Sequence, residues 1–231
     1  MKGRIKQFAE TYLPAWTVIP LLSILAVNCL VYWGSGMMTA GRYHYDFTFG
    51  FDRAVPLLPE FVWIYILAFP FWACNYILAA QRGKDMFYRF VATDLTVHAA
   101  CFLIFLLLPT TNIRPEIPGN TISEVMLRII YALDGGQSPA NLFPSIHCYV
   151  SWLCWKGVKG AEKIPKWYQN FSLVFAVLVI ISTQVLKQHY IVDAAAGILL
   201  VEIAWRICHR GQRHEKLMQF YERINQKVCR K

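Results

Sequence analysis

His189 and Asp193 have the spacing of a histidine nucleophile and the carboxylate that orients it. Residues four apart share one face of a helix, so the carboxylate can accept the Nδ1 proton of the imidazole. The Nε2 atom is then free to attack an electrophile. Lys187, two residues earlier, adds a cation beside the pair. An interfacial histidine beside a helix-terminal aspartate has the same spacing, so the pair alone does not establish catalysis.

A second cluster, NLFPSIHCYVSW, covers residues 141–152. Pro144 and Ser145 are expected to open a helix there, because a proline in the first turn costs no hydrogen bond. The free amides of such a turn form an anion site, to which Ser145 can add its hydroxyl. His147, in the same turn, is placed to protonate a leaving oxygen. A capped helix start with an incidental histidine is the alternative.

The third cluster, LPTTNIRPEIPG at residues 108–119, contains Arg114. A guanidinium suits bidentate contact with phosphate oxygens, although an interfacial anchor would also explain one arginine. Together the three clusters supply two histidines, a carboxylate, two cations and a helix amino terminus. This set favours phosphoryl transfer through a covalent histidine intermediate. No metal-ligand spacing accompanies it, so we expect neither a metal nor another cofactor.

The elements that must position these residues are membrane helices. The chain has 231 residues, of which 56% are hydrophobic and 16% charged, which is too apolar for an ordinary soluble domain. A span needs roughly 20 mostly apolar residues, so one membrane domain occupies residues 1–231. The predicted fold is all-α, a bundle of six transmembrane helices at 16–33, 61–80, 90–108, a shorter run from about 143 to 156, 167–186 and 190–207.

The net charge of +9 is distributed as in a membrane protein rather than a nucleic-acid-binding one. Lys and Arg concentrate in the amino terminus, residues 81–89, residues 156–166 and the tail. Positive charge marks the cytoplasmic side, so both termini should be cytoplasmic and all three clusters should lie outside. The tail, residues 208–231, is expected to form an amphipathic helix whose apolar residues Leu217, Phe220, Tyr221, Ile224 and Val228 lie on the inner leaflet.

Several further residues have structural interpretations. The seven cysteines lie mostly in apolar runs without Cys-x-x-Cys spacing, which indicates buried side chains. Asp94 and His98 share a face inside the third span, where an interhelical hydrogen-bonded pair is favoured over a second site. Glu202 is expected to pair with Arg206 at helical spacing. Small residues at 194–197 would allow another helix to approach closely.

The motifs resemble those of the type 2 phosphatidic acid phosphatase superfamily. Pro144-Ser145-Ile146-His147 resembles its Pro-Ser-Gly-His motif, and Arg114-Pro115 matches the end of its Lys-x6-Arg-Pro motif. The third motif, Ser-Arg-x5-His-x3-Asp, is matched by Ser182, His189 and Asp193. The resemblance covers about residues 50–207.

The resemblance implies a six-helix membrane fold and metal-independent hydrolysis or transfer of lipid phosphates. It implies that His189 is the nucleophile, that His147 is the acid and that Asp193 orients His189. Its implied substrate-binding residues are Arg114, Ser145, Ile146 through its backbone amide, Ser182 and Lys187, the last as a replacement for a missing motif cation.

Two motif positions depart from the family. Leu107 stands at the first-motif lysine and Thr183 at the third-motif arginine. Such loosened motifs look more like the branch of inositol phosphorylceramide and sphingomyelin synthases, which residues 51–65 also resemble.

The sequence thus predicts hydrolysis of a lipid phosphate at the non-cytoplasmic face, in a bacterial plasma membrane. One alternative is transfer of the phospho-headgroup to a lipid alcohol, and another is a catalytically silent protein that binds or carries lipid phosphates. Phosphatidate, phosphatidylglycerophosphate, a polyprenyl diphosphate and sphingolipid donors all fit, and the oligomeric state stays open.

Overall fold

The computed structural model describes residues 11–210 and 212–229, which are mainly helical, so the predicted helical class is confirmed. The helices are α1 (Ala15–Cys29), α2 (Ser35–Thr39), α3 (Gly50–Ala54), α4 (Val62–Ala79), α5 (Lys84–Leu107), α6 (Ile122–Leu133), α7 (Ile146–Val158), α8 (Lys166–Val185), α9 (Ile191–His209) and α10 (Arg213–Cys229). A π-helical turn, Leu30–Gly34, joins α1 to α2, and 3₁₀ turns flank α4 at Pro59–Phe61 and Ala80–Arg82.

Four helical segments of the described chain are long and apolar enough to cross a membrane. They are Ala15–Thr39, Pro59–Arg82, Lys84–Leu107 and Lys166–Val185. The other two predicted spans correspond to α7, which has 13 residues, and to α9, whose 19 residues include Asp193, Glu202 and Arg206. The chain is therefore a membrane protein by its helices, and the count of six spans stays a prediction.

The short helix α7 lies at the centre of the bundle, where it packs against α4, α5, α8 and α9. Most of its side chains are buried, including Tyr149, Leu153 and Cys154. Near its end, a Cβ on Gly157 would lie 2.8 Å from the Phe90 ring, so α7 and α5 are in direct contact there. Neighbouring helices thus surround α7 along its length, and a short apolar helix is sufficient in that position.

The connections before α4 and after α5 contain structure that the sequence did not predict. Helix α6 begins at Thr121, whose hydroxyl accepts from the Glu124 amide at 3.3 Å while the Glu124 carboxylate accepts from the Thr121 amide at 2.9 Å. A parallel pair of two-residue strands, β1 (Tyr45–Asp46) and β2 (Thr110–Thr111), joins the first two connections. This pair is a small departure from the predicted all-α class.

The tail forms the predicted helix, but its apolar face is not simply turned towards a leaflet. Helix α10 packs against α1 and α5, with Tyr221 buried against Tyr88 and Leu217 beside the main core. Lys84 of α5 and Glu222 of α10 form an ion pair between these two helices. The side chain of Val228 lies outside the described part of the chain, and of the other four predicted lipid-facing residues Phe220 is the exposed one. The expected lipid face is therefore corrected to a face that is partly covered by the bundle.

Basic segments meet at one end of the bundle, as the charge pattern predicts. Arg82 donates to the Lys156 carbonyl at 3.2 Å, which brings residues 81–89 beside residues 156–166. At that end Glu202 binds Lys156, whose Nζ lies 3.1 Å from the carboxylate, and also accepts from Trp152 at 2.8 Å. The expected electrostatic interaction of Glu202 with Arg206 is present, and direct contacts across the α7–α9 interface are added to it because α7 packs on α9.

Candidate active site

His189 and Asp193 form the predicted pair. The Nδ1 atom of His189 lies 3.2 Å from the Asp193 carboxylate and 3.1 Å from the Leu142 carbonyl. The same carboxylate oxygen accepts from the Tyr190 amide at 2.9 Å, which fixes it at the start of α9. Since both neighbours of Nδ1 are acceptors, the proton resides on Nδ1 and the Nε2 lone pair is free.

The short loop between α8 and α9 presents His189 to the site. The Thr183 carbonyl accepts from the amides of Gln188 at 2.9 Å and His189 at 3.1 Å, and Lys187 has a φ of 53°. Burial, with the nearby positive charge of Arg114, lowers the pKa of His189 to about 3. The imidazole is therefore neutral at pH 7, which is the nucleophilic form.

Ser182 contributes to this loop through its main chain. Its carbonyl accepts from the Leu186 amide at 3.0 Å, whereas its buried hydroxyl donates to the Val179 carbonyl at 2.7 Å. The side chain lines neither of the two cavities described below. Its expected role in substrate binding therefore stays a prediction without a contact to support it.

His147 lies close to His189, with ring centroids 5.9 Å apart. The Tyr65 ring stacks on it at 4.5 Å and an interplanar angle of 22°. Its Nε2 atom is buried and has no hydrogen-bond partner among the described residues. The two imidazoles can therefore act on the same small group from two sides.

Helix α7 starts at Ile146, after Pro144 and Ser145, which were expected to open it. Ser145 is the N-cap, and its hydroxyl accepts from the Cys148 amide at 3.3 Å, so Pro144 precedes the cap instead of occupying the first turn. The Ser145 amide donates to the Asp193 carbonyl at 3.1 Å. The Ile146 and His147 amides belong to the first turn, where no intrahelical acceptor exists, and the anion site expected there stays a prediction.

Gly197 allows α9 to approach the start of α7, as the small residues at 194–197 predict. A Cβ at this position would lie 2.8 Å from the Ser145 carbonyl oxygen and 3.3 Å from the Tyr149 amide nitrogen. Both neighbours are main-chain atoms, which cannot move aside individually. The close contact therefore fixes the two histidine-bearing segments relative to one another.

Arg114 reaches the site but is bound mainly to the end of α6. Its Nη1 atom donates to the carbonyls of Asp134 at 2.9 Å and Gly136 at 3.0 Å, while Nη2 contacts the Asp134 carboxylate and the Gln188 amide oxygen. Burial lowers the pKa of Arg114 to about 10, so the guanidinium stays charged at neutral pH. The Nε atom has no partner among the described residues and is the donor left for a ligand.

Lys187, the expected replacement cation, also has protein partners. Its Nζ atom donates to the Asp52 carbonyl at 2.6 Å and to the Val55 carbonyl, at the end of α3. Its charge lies near the site, but its donors are directed towards the end of α3.

His189 lies between two cavities. The first, here called the catalytic cavity, has a volume of about 390 Å³ and a largely apolar wall of aromatic and aliphatic side chains, which includes Tyr65 and Trp72 beside His147. The second, here called the polar cavity, has about 310 Å³ and includes Arg53, Arg114, Lys187 and Asn112 among its wall residues. Besides the two histidines, the predicted site residue Ile146 also lines the catalytic cavity. Ser145 and Asp193 are fully buried and line neither cavity.

Four contributions to the site were not foreseen from the sequence. Tyr65 stacks on His147, Asp134 and Gln188 hold Arg114, and the Leu142 carbonyl helps to fix His189. Gln188 adjoins the predicted nucleophile, which is a weak signal. Leu142 belongs to the second cluster and Tyr65 ends residues 51–65, but nothing in either segment indicated these contacts, and Asp134 lies outside the motif clusters.

A family model described as the PAP2 superfamily matches residues 42–207, which is most of the chain and includes all three motif clusters. No curated protein and no solved structure matches the chain. The matched range begins between α2 and α3 and ends within α9, so it contains the histidine pair, Arg114 and the elements that position them. The chain belongs to the PAP2 superfamily, the type 2 phosphatidic acid phosphatase superfamily that its motifs resemble.

Proposed function

We propose that the protein hydrolyses a lipid phosphate through a phosphohistidine intermediate. The Nε2 atom of His189 attacks phosphorus, the bond from phosphorus to the lipid oxygen breaks, and His147 gives that oxygen its proton. A water molecule then attacks phosphorus, passes a proton to His147 and breaks the P–N bond, which restores both histidines. Asp193 stabilises the imidazolium of His189 while it is phosphorylated. No step requires a metal ion.

The observation that supports hydrolysis is the position of His189 on two cavities of different character. A lipid suits the largely apolar catalytic cavity, where His147 can meet the leaving oxygen. Water suits the polar cavity, whose arginine, lysine and asparagine side chains favour hydration. The phosphohistidine would thus be accessible to water on the side opposite the leaving lipid.

Transfer to a lipid alcohol is the second candidate. Leu107 and Thr183 replace two motif cations, and in this the motifs resemble those of the synthase branch. The apolar catalytic cavity could also admit an alcohol from the membrane. The same two histidines would act, with the alcohol oxygen in place of water. The acceptor alone separates these candidates.

A panel of lipid phosphates decides between them. Purified full-length protein is incubated with phosphatidate, phosphatidylglycerophosphate, a polyprenyl diphosphate and labelled phosphodiester lipids, with and without added diacylglycerol or ceramide. We expect released phosphate or phospho-headgroup as the main product, at an unchanged rate in EDTA. Faster labelling of the lipid alcohol would replace hydrolysis by transfer. Binding without turnover of any lipid would identify a silent lipid-phosphate protein instead.

The site is proposed to face away from the cytoplasm, because the basic segments meet at the opposite end of the bundle. A cysteine at Asn120, placed in a cysteine-free variant, should react with an impermeant maleimide in intact cells. A cysteine at Gly160 should react only after lysis. The reverse labelling pattern would place the site on the cytoplasmic side.

A further inference from the structure

Helix α3 brings an arginine to the site from residues 51–65, a stretch that has no role in the proposed reaction. Arg53 and His189 are both wall residues of the polar cavity. The Arg53 side chain is exposed, and within the described part of the chain it makes no hydrogen bond or ion pair. Its N–H donors are therefore available to a ligand in the cavity that the nucleophile lines.

The carboxylate of Asp46 interacts electrostatically with Arg53 but is bound elsewhere. One of its oxygens accepts from the Thr48 amide at 2.8 Å and from the Tyr190 hydroxyl at 2.7 Å. The charge of Asp46 thus lies near Arg53 without occupying the donors of the guanidinium.

Contacts next to Arg53 hold α3 against the loop that presents His189. The Asp52 carboxylate accepts from the Ile191 amide at 2.8 Å, at the start of α9. From the same loop, Lys187 donates to the Asp52 carbonyl at 2.6 Å. The main chain of Arg53 is therefore fixed relative to His189, and only the side chain must be ordered when a ligand binds.

The wall of the polar cavity carries more positive than negative charge. Arg53, Arg114 and Lys187 line it together with one carboxylate, that of Asp52. Arg114 is 2% exposed, and its Nε atom has no partner among the described residues. A buried charged donor without an acceptor costs free energy, which an anion in this cavity would recover.

A second cluster of ionisable side chains, inside the spans, has partners within the bundle. His98 lies 3.1 Å from the Asp94 carboxylate through one ring nitrogen. Its other ring nitrogen lies 2.7 Å from the Tyr149 hydroxyl and 3.2 Å from the Asn28 side chain. The interhelical hydrogen bonds expected of Asp94 and His98 are thus present, and both ring nitrogens of His98 have partners.

We propose that Arg53 binds non-bridging oxygens of the phosphoryl group that His189 accepts, from the polar-cavity side and together with the Nε atom of Arg114. A guanidinium can donate to two such oxygens at once. Arg53 would then supply a cation that the motifs lack at Leu107 and Thr183. This inference rests on the proposed function, since it places a phosphoryl group at His189.

Binding of inorganic phosphate tests Arg53 without any turnover. Its affinity is measured from the thermal stabilisation of purified full-length protein at constant ionic strength. Arg53→Gln should weaken binding by about tenfold or more, the usual effect of one hydrogen bond to a charged group. Arg53→Lys keeps the charge but not the planar fork, so its loss should be smaller.

Arg42→Gln is the matched control for this measurement. Arg42 is also an exposed arginine of the connection before α4, but it lines neither cavity of the site, and its guanidinium donates to the Leu106 carbonyl. That variant should bind phosphate as wild type does. An equal loss in Arg42→Gln and Arg53→Gln would show a general effect of charge and overturn the assignment.

Chemical rescue separates a contact with the substrate from a structural role. Arg53→Ala should lower kcat/KM for a lipid phosphate by about 10- to 100-fold. Added guanidinium ion should restore part of this activity, because the exposed position admits the ion, and it should not raise the activity of wild type or Arg42→Ala. A loss without rescue, at unchanged phosphate affinity, would assign Arg53 a structural role instead.

The phosphate measurement also separates this inference from the proposed reaction. Phosphate binding that depends on Arg53, in protein that turns over no lipid phosphate, would refute hydrolysis and retain the anion site. Equal phosphate affinity in wild type and Arg53→Gln would overturn the assignment of Arg53 whether or not lipid is hydrolysed. Absence of phosphate binding by wild type would overturn it as well.

Discussion

Replacement of His189 by alanine is expected to lower turnover by at least about 10³-fold and to abolish the phosphoenzyme. The Nε2 atom is the group that forms the bond to phosphorus. Among the described histidines, His189 alone has a carboxylate beside Nδ1 and also lines both cavities. The measurement is acid-quenched trapping of labelled phosphate on the protein, together with product release.

His209→Ala is the matched control for this change. His209 also lies at an end of α9, where its ring stacks on Trp205 at 3.9 Å, but this is the end opposite the site. That variant should retain turnover and phosphoenzyme. Acid-labile label that persists in His189→Ala would assign the nucleophile to a different residue.

Replacement of His147 by alanine is expected to lower turnover of a lipid phosphate by about 10²–10⁴-fold, the usual contribution of a positioned acid. The loss should be much smaller for a nitrophenyl phosphate, whose leaving oxygen departs without a proton. His189 keeps its contacts to Asp193 and Leu142 in this variant, so the phosphoenzyme should still form. Both substrates are measured under single-turnover conditions.

Tyr65→Phe serves as the comparison for the second change. The ring that stacks on His147 remains, and only the hydroxyl is lost, so turnover should stay close to wild type. An equal loss for both substrates in His147→Ala would show that His147 positions the substrate or stabilises the site rather than supplying a proton.

The sequence predicted the site better than the elements around it. Alternating charge brings the ends of several spans to one side, and this constraint applies to any sequence with the same pattern. The contact between His147 and His189 follows from it, because both residues lie at helix ends on that side. The spacing of His189 and Asp193 is local, so their hydrogen bond could be predicted, although His189 lies in the loop before α9 and not on a face of that helix.

Contacts between distant segments could not be predicted in the same way. Arg114 binds Asp134 across a connection whose helix, α6, was not predicted, although the Thr121–Glu124 cap and the amphipathic pattern are both signals of a helix. Asn28 meets His98 across two helices whose relative rotation is set by packing. The partner of Glu202 was predicted within its own helix, and the structure places Lys156 closer, because side chains of α7 extend across the interface.

The binding of Arg114 to the end of α6 changes how a loss of function at this position would be interpreted. Its guanidinium ties together the end of one helix, the turn after it and the loop that presents His189. Removing it would leave carbonyl groups and a carboxylate without their donor at the edge of the catalytic cavity. Loss of activity in an Arg114 variant could therefore result from displacement of His189 or from weaker phosphate binding. The position of the His189 loop in the structure of that variant would separate the two causes.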